Sequence, residues 1–240
     1  MYATCLMVSG GLSEWALLID RFKKRQLFWL DVALAMAILF GALLSTTVLA
    51  WSGLMLALSF ILVLSRFYIR SLSTTLWGIL GFVYMAAFGW SLLYLRHFHD
   101  LVMGMDLVFY LLAVVWGTDI GAYIIGRVMG GPKLAPQISP GKTWAGVWGG
   151  LGVAGLAAVG FCLYEGVPLA TKPLFLAFGL SGASQIGDLF ESYVKRRAGV
   201  KESGGLIPGH GGILDRIDGL VFASILLMLF QMAGGNLISW

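Results

Sequence analysis

Between Leu27 and Leu64 the only charged side chain is Asp31, and this apolar run is too long for one membrane crossing. A helix that spans the hydrocarbon core needs about 20 residues, so the run must fold back on itself. A tight turn near Ser45–Thr47 is the expected place. Such a stretch has few ways to fold. With no water in the bilayer core, every backbone N–H and C=O must be satisfied within the chain, which leaves helices or a closed barrel. Barrel strands alternate polar and apolar residues over about ten positions. Here the apolar stretches are unbroken, so the sequence predicts an all-α fold, a polytopic integral membrane helical bundle.

Composition agrees. Hydrophobic residues make up 59% of the 240 and charged residues 12%, with a mean hydropathy of +0.87; soluble domains carry about 25% charged residues. Eight apolar segments are expected, at 2–19, 27–44, 46–64, 74–95, 102–125, 144–164, 173–190 and 217–235, forming one membrane-embedded domain over 1–240. The first is the weakest, broken by Gly10, Gly11, Ser13 and Glu14. It lacks the basic leader region of a cleaved signal peptide.

Numbering eight spans alternately puts the connections 20–26, 65–73, 126–143 and 191–216 on one side. Of the 16 lysines and arginines, all but Arg96 and Lys172 fall there. By the positive-inside rule that side is the cytoplasm, and the protein is expected in a bacterial inner membrane with its site facing inward. The net charge of +4 thus reads as topology, not as affinity for nucleic acid. Cys5 and Cys162 lie in apolar stretches without metal-ligand spacing and read as small buried residues. Gly146 and Gly150 form a GxxxG pair, suited either to contacts within the chain or to a homodimer interface.

Ionisable residues in or beside a span are candidates for function, because a bare charge there is costly. Asp31 and Asp106 lie near segment ends, where snorkelling or a local hydrogen bond accounts for them. Asp119 lies deep in the fifth segment. The densest constellation covers 188–218: Asp188 and Ser192, then Lys195-Arg196-Arg197, Lys201-Glu202, Pro208-Gly209-His210-Gly211-Gly212, and finally Asp215 and Asp218. On a helix Asp188 and Ser192 share a face, as do Asp215 and Asp218. Three carboxylates and a hydroxyl make an oxygen-rich set suited to Mg²⁺, not zinc. The basic residues between them suit phosphate oxygens, and Gly211 and Gly212 permit close backbone approach to a ligand. His210 admits three roles: phosphate contact, proton donor or backbone brace.

The preceding loop ends in Ser139-Pro140-Gly141-Lys142-Thr143. Its last three residues match the end of a phosphate-binding P-loop, but Pro136 stands where the first glycine belongs and no strand is expected before it. Ser139, Lys142 and Thr143 still form a plausible anion site at a helix N-terminus. A serine hydrolase is excluded, since Ser192 has no nucleophile elbow.

The run from Ser192-Tyr193-Val194-Lys195-Arg196 through Lys201-Glu202 to Pro208-Gly209-His210-Gly211-Gly212-Ile213-Leu214-Asp215-Arg216-Ile217-Asp218 closely resembles the signature of the phosphatidate cytidylyltransferase (CDP-diacylglycerol synthase) family. Asp119-Ile120-Gly121-Ala122-Tyr123 and Ser139–Thr143 resemble that family too, extending the likeness over roughly 75–235. The resemblance implies transfer of a cytidylyl group from CTP to phosphatidate, with Mg²⁺ alone or with a second cation. It implies Asp188, Asp215, Lys195 and His210 as catalytic residues. Asp188, Ser192, Asp215, Asp218 and Asp119 would hold metal, while Ser139, Lys142, Thr143, Lys195, Arg196, Lys201, Gly211 and Gly212 would hold substrate. Glu202 departs from the family's usual Asp, and the amino end looks short by one helix. Two other readings stand beside it: a transporter, which the absence of an internal repeat opposes, and a related enzyme acting on another lipid phosphate or lipid alcohol.

Overall fold

The computed structural model describes residues 2–23, 72–98, 101–166, 171–204 and 211–234. The expected segments 27–44 and 46–64, Asp31, Pro208, Gly209 and His210 lie outside the described residues. The described elements are α1 (Tyr2–Lys23), α2 (Leu72–Arg96), α3 (Leu101–Met129), β1 (Lys133–Ala135), β2 (Ser139–Thr143), α4 (Trp144–Glu165), α5 (Thr171–Arg197) and α6 (Leu214–Met232).

The all-α expectation needs correction in its count of eight spans. Among the described residues there are six helices, and three are long and apolar enough to cross a membrane: Leu76–Arg96, Val102–Met129 and Trp144–Glu165. The other three are helical where expected but fall short in composition. In α1 the apolar part is only Leu6–Ile19; fourteen residues at 1.5 Å each give about 21 Å, against a core of about 30 Å. In α5 the sequence turns polar through Ser181, Ser184, Gln185, Asp188, Glu191 and Ser192. In α6, Asp215, Arg216 and Asp218 take up the start and leave an uncharged stretch of similar shortfall. The alternate numbering that put four loops on one side rested on eight spans, and three helices do not carry it.

The described chain divides into two compact units, Met1–Leu93 with Val194–Ile217, and Tyr94–Tyr193 with Asp218–Trp240. In the first unit α1 packs on α2 through Trp15. Its indole N–H donates to the Trp77 carbonyl at 3.0 Å, and Gly81 leaves the space the ring fills. Leu18, Ile19, Met85 and Phe88 are fully enclosed around it. Gly10 and Gly11, the apparent breaks in α1, face Ile213, Met85 and Leu214, which a side chain at either position would displace.

The second unit is built on the pair α3–α4. In lipid no hydrophobic drive brings helices together, so close backbone approach and packing must hold them. The glycines supply it. A Cβ on Gly121 would lie 2.6 Å from the Gly149 carbonyl, one on Gly146 2.8 Å from that of Ala122, and one on Gly150 3.0 Å from that of Thr118. The Gly146/Gly150 pair therefore serves α3–α4 packing within the chain. Tyr110 ties α3 to the start of α5, its hydroxyl donating to the Pro173 carbonyl at 2.5 Å.

The stretch expected as a loop at 126–143 is more ordered than its composition suggested. Helix α3 runs on to Met129, and Gly130 and Gly131 reverse the chain with φ of 61° and 92°. An antiparallel hairpin follows, pairing Lys133 with Thr143 and Ala135 with Ser139. Strand β2 runs directly into α4, so no phosphate-wrapping loop separates them, and Pro136 still argues against a P-loop.

Candidate active site

In the second unit, β2 carries Lys142 to α5. Its Nζ lies 2.5 Å from Asp188 Oδ2, with the two side chains 24% and 32% accessible. One helical turn on, Ser192 Oγ donates to Asp188 Oδ1 at 3.4 Å, a long bond that leaves the hydroxyl available to a better acceptor. Asp119 on α3 is exposed and within electrostatic reach of both Asp188 and Lys142. The structure thus gathers Asp119, Lys142, Asp188 and Ser192. Ser139 lies on the same strand as Lys142.

Two other expected residues of this unit are engaged with the backbone. Thr143 is the N-cap of α4: its φ is −125° and its Oγ1 accepts from the Gly146 N–H at 3.1 Å. Asp218 Oδ1 accepts from the Gly219 N–H at 2.7 Å. Here α5 and α6 meet closely, since a Cβ on Gly187 would lie 2.5 Å from the Asp218 carbonyl.

The first unit holds a second polar centre. Lys195 is buried and its Nζ donates to Asp215 Oδ1 at 2.6 Å. Asp215 also accepts from the Ser203 N–H, at 3.0 Å to Oδ2 and 3.3 Å to Oδ1. The Ser203 hydroxyl and the Gly212 N–H each reach Oδ2 at 2.9 Å. Burial pushes the Asp215 carboxyl up, but the Lys195 bond, the Gly212 and Ser203 N–H groups and the Lys195 charge outweigh it and hold the group below the ordinary Asp value. An ionised carboxylate offers about four lone-pair sites; Lys195 and the Ser203 and Gly212 N–H groups take three, and the Ser203 hydroxyl proton is shared with Glu14. Arg196, Lys201 and Glu202 are exposed, with Arg196 donating to the Val200 carbonyl at 3.1 Å.

One residue here was missed from sequence. Glu14 is fully buried, and its carboxylate accepts from the Ser203 hydroxyl at 2.9 Å, the Ile213 N–H at 2.9 Å and the Leu214 N–H at 2.8 Å. The signal was present, a lone carboxylate in an apolar stretch, but it read as a break in a weak span. Gly211 has a φ of 79°, where a side chain is strained. The N–H groups of Gly212, Ile213 and Leu214 serve Asp215 and Glu14.

Asp215 belongs to the first unit and Asp119, Asp188, Ser192 and Asp218 to the second. Among the described residues no group of three or more His, Cys, Asp or Glu is placed to hold an ion. The donor chemistry nevertheless fits Mg²⁺, which keeps several waters and takes one or two carboxylates together with substrate phosphates. Asp188, with Ser192 beside it and Asp119 in reach, offers that set, and the Lys142 ammonium marks the place as one that attracts positive charge.

The model of a family described as the cytidylyltransferase family matches residues 1–233. A phosphatidate cytidylyltransferase of Brucella suis biovar 1 is 49% identical over 154 residues, covering 64% of this chain and 56% of that protein. One from Haemophilus influenzae is 46% identical over 135 residues, or 54% of this chain and 47% of its own length. One from Bacillus subtilis is 38% identical over 188 residues, covering 75% and 70%. The chain spans about half the length of the first two. These relatives are bacterial, and with three apolar helices of spanning length the chain is a multi-pass membrane protein.

Proposed function

This chain belongs to the cytidylyltransferase family, and on that premise we propose that it transfers a cytidylyl group from CTP to phosphatidate, giving CDP-diacylglycerol and pyrophosphate. The observation that carries the reading is the Lys142–Asp188 pair with Ser192 and Asp119 around it. It sets a cation-attracting carboxylate against a phosphate-binding ammonium on elements of the membrane-embedded unit. The relatives' shared name supports the choice of substrates.

Such a reaction needs no nucleophilic side chain. A phosphatidate phosphate oxygen attacks the α-phosphorus of CTP, and the bond to the β-phosphate oxygen breaks, its electron pair leaving with pyrophosphate. The protein's share is alignment and charge neutralisation. Asp188, with Ser192 and Asp119, would hold the divalent cation that family membership suggests, which when bound would neutralise charge on the CTP phosphates. Lys142 then turns from Asp188 to a phosphate oxygen. The family resemblance assigns Lys195, Arg196 and Lys201 to substrate phosphates, and Asp215 holds Lys195 in place. CTP is a cytoplasmic substrate, so in this reading the site faces the cytoplasm.

Purified protein with labelled CTP, phosphatidate and Mg²⁺ should form CDP-lipid, and Asp188→Asn should abolish it without loss of expression or membrane insertion. No product from the wild type, where a control enzyme succeeds, would end the proposal. Cysteine labelling within 196–203 from the periplasmic face would reverse the orientation.

A further inference from the structure

We infer that Glu14 is a positioning residue for this reaction: an internal anion that ties Ser203 to the start of α6 and, through Asp215, aims Lys195. The inference rests on the cytidylyl-transfer reading above. It begins with an electrostatic problem. A fully buried carboxylate is tolerated only with strong partners, and Glu14 has three donors drawn from 189 to 200 residues away in sequence. Two of them are the N–H groups of Ile213 and Leu214 at the start of α6, where the helix dipole favours negative charge. Glu14 therefore occupies this helix end itself.

The signature's glycines follow from the same fact. A Cβ on Gly204 would lie 2.8 Å from Glu14 Oε1, and one on Gly212 would collide with both Glu14 and Ser203. These positions are small because the carboxylate enters there. Ser203 then links two acids: its hydroxyl lies 2.9 Å from Glu14 Oε2 and 2.9 Å from Asp215 Oδ2. One hydroxyl has one proton, so the two carboxylates are coupled through it. The other oxygen of Asp215 holds Lys195. Trp15, the next residue in α1, is locked against α2 and fixes the height at which Glu14 enters.

The test compares wild type, Glu14→Gln, Ser203→Ala and the double variant in the CTP–phosphatidate assay, with thermal midpoints in the same detergent. Glu14→Gln is expected to lose about tenfold or more in kcat/KM for CTP, as loss of a charged hydrogen-bond acceptor implies. The KM for phosphatidate should stay near its wild-type value. Ser203→Ala should lose CTP efficiency in the same sense, and the double variant should be no worse than Glu14→Gln, because both act on the same Asp215–Lys195 geometry. Wild-type CTP kinetics in Glu14→Gln, or multiplying losses in the double variant, would overturn the inference while leaving the reaction assigned. Equal losses toward both substrates with a lowered midpoint would make Glu14 a general stability residue and overturn it too. If Glu14→Gln yields no folded protein, Ser203→Ala decides: a CTP-selective loss supports the role, and unchanged kinetics refute it. No product from wild type would instead remove the reaction itself.

Discussion

Lys195 and Asp215 form a pair whose two halves are not equally dependent on each other, and this asymmetry can be measured. Their side chains are 11% and 14% accessible and 2.6 Å apart. Asp215→Asn keeps the shape but removes the charge facing a buried ammonium. Its amide nitrogen must also point either at Lys195 or at the Ser203 and Gly212 donors, so one donor group loses its acceptor. Breaking a mostly buried pair from the acid side should cost about 3 kcal/mol. Lys195→Met is milder. Asp215 keeps the Ser203 N–H, the Ser203 hydroxyl and the Gly212 N–H, so the cost should be about 1–2 kcal/mol, that of one charged hydrogen bond. The double variant removes the uncompensated ammonium and should be less destabilised than the sum of the two. The folded fraction in detergent, followed against added sodium dodecyl sulfate or temperature, reads all three. Equal costs for the two single variants, or strict additivity, would refute the assignment of Asp215 as the organising partner.

Two further outcomes follow from the same contacts. The Asp215 carboxyl is held below its ordinary value, so its stabilising contribution is complete above about pH 3.9 and is lost as pH falls through the lower folded value. The wild-type thermal midpoint should therefore drop below about pH 4 by more than that of Asp215→Asn; parallel curves would contradict the linkage. In the second unit, Gly121→Ala pushes a Cβ against the Gly149 carbonyl and should cost about 1–3 kcal/mol. Gly152 on α4 has open space, so Gly152→Ala should be neutral or stabilise by up to about 1 kcal/mol, and the same unfolding measurement separates the two.

Much of the local structure was legible in the residues. The three spanning helices lie where the apolar runs placed them, and the four-residue spacing of Asp188 and Ser192 does put the two oxygens together. Helix ends were harder. The hairpin at 133–143 escaped because its short strands have no apolar alternation and are held by each other and by the glycine reversal at 130–131. The count of spans failed for α1, α5 and α6 because helical periodicity and spanning hydropathy are separate properties. Those helices have the first, while Glu14, the polar face of α5 and the charged start of α6 deny them the second. Glu14 was passed over because its partners lie 189 to 200 positions away, and no local pattern encodes that distance.

The sequence by itself determined that this is a helical membrane chain, because apolar runs of that length leave the backbone no other way to satisfy its hydrogen bonds, and its motifs pointed to the cytidylyltransferase family. Tertiary structure decided which donor meets which acceptor. Lys142 went to Asp188, Lys195 to Asp215, and the amides of Gly212, Ile213 and Leu214 to Asp215 and Glu14. The reason is that a charge's partner is set by where the packing of glycines and Trp15 lets helices approach, and that is a property of contacts between distant segments.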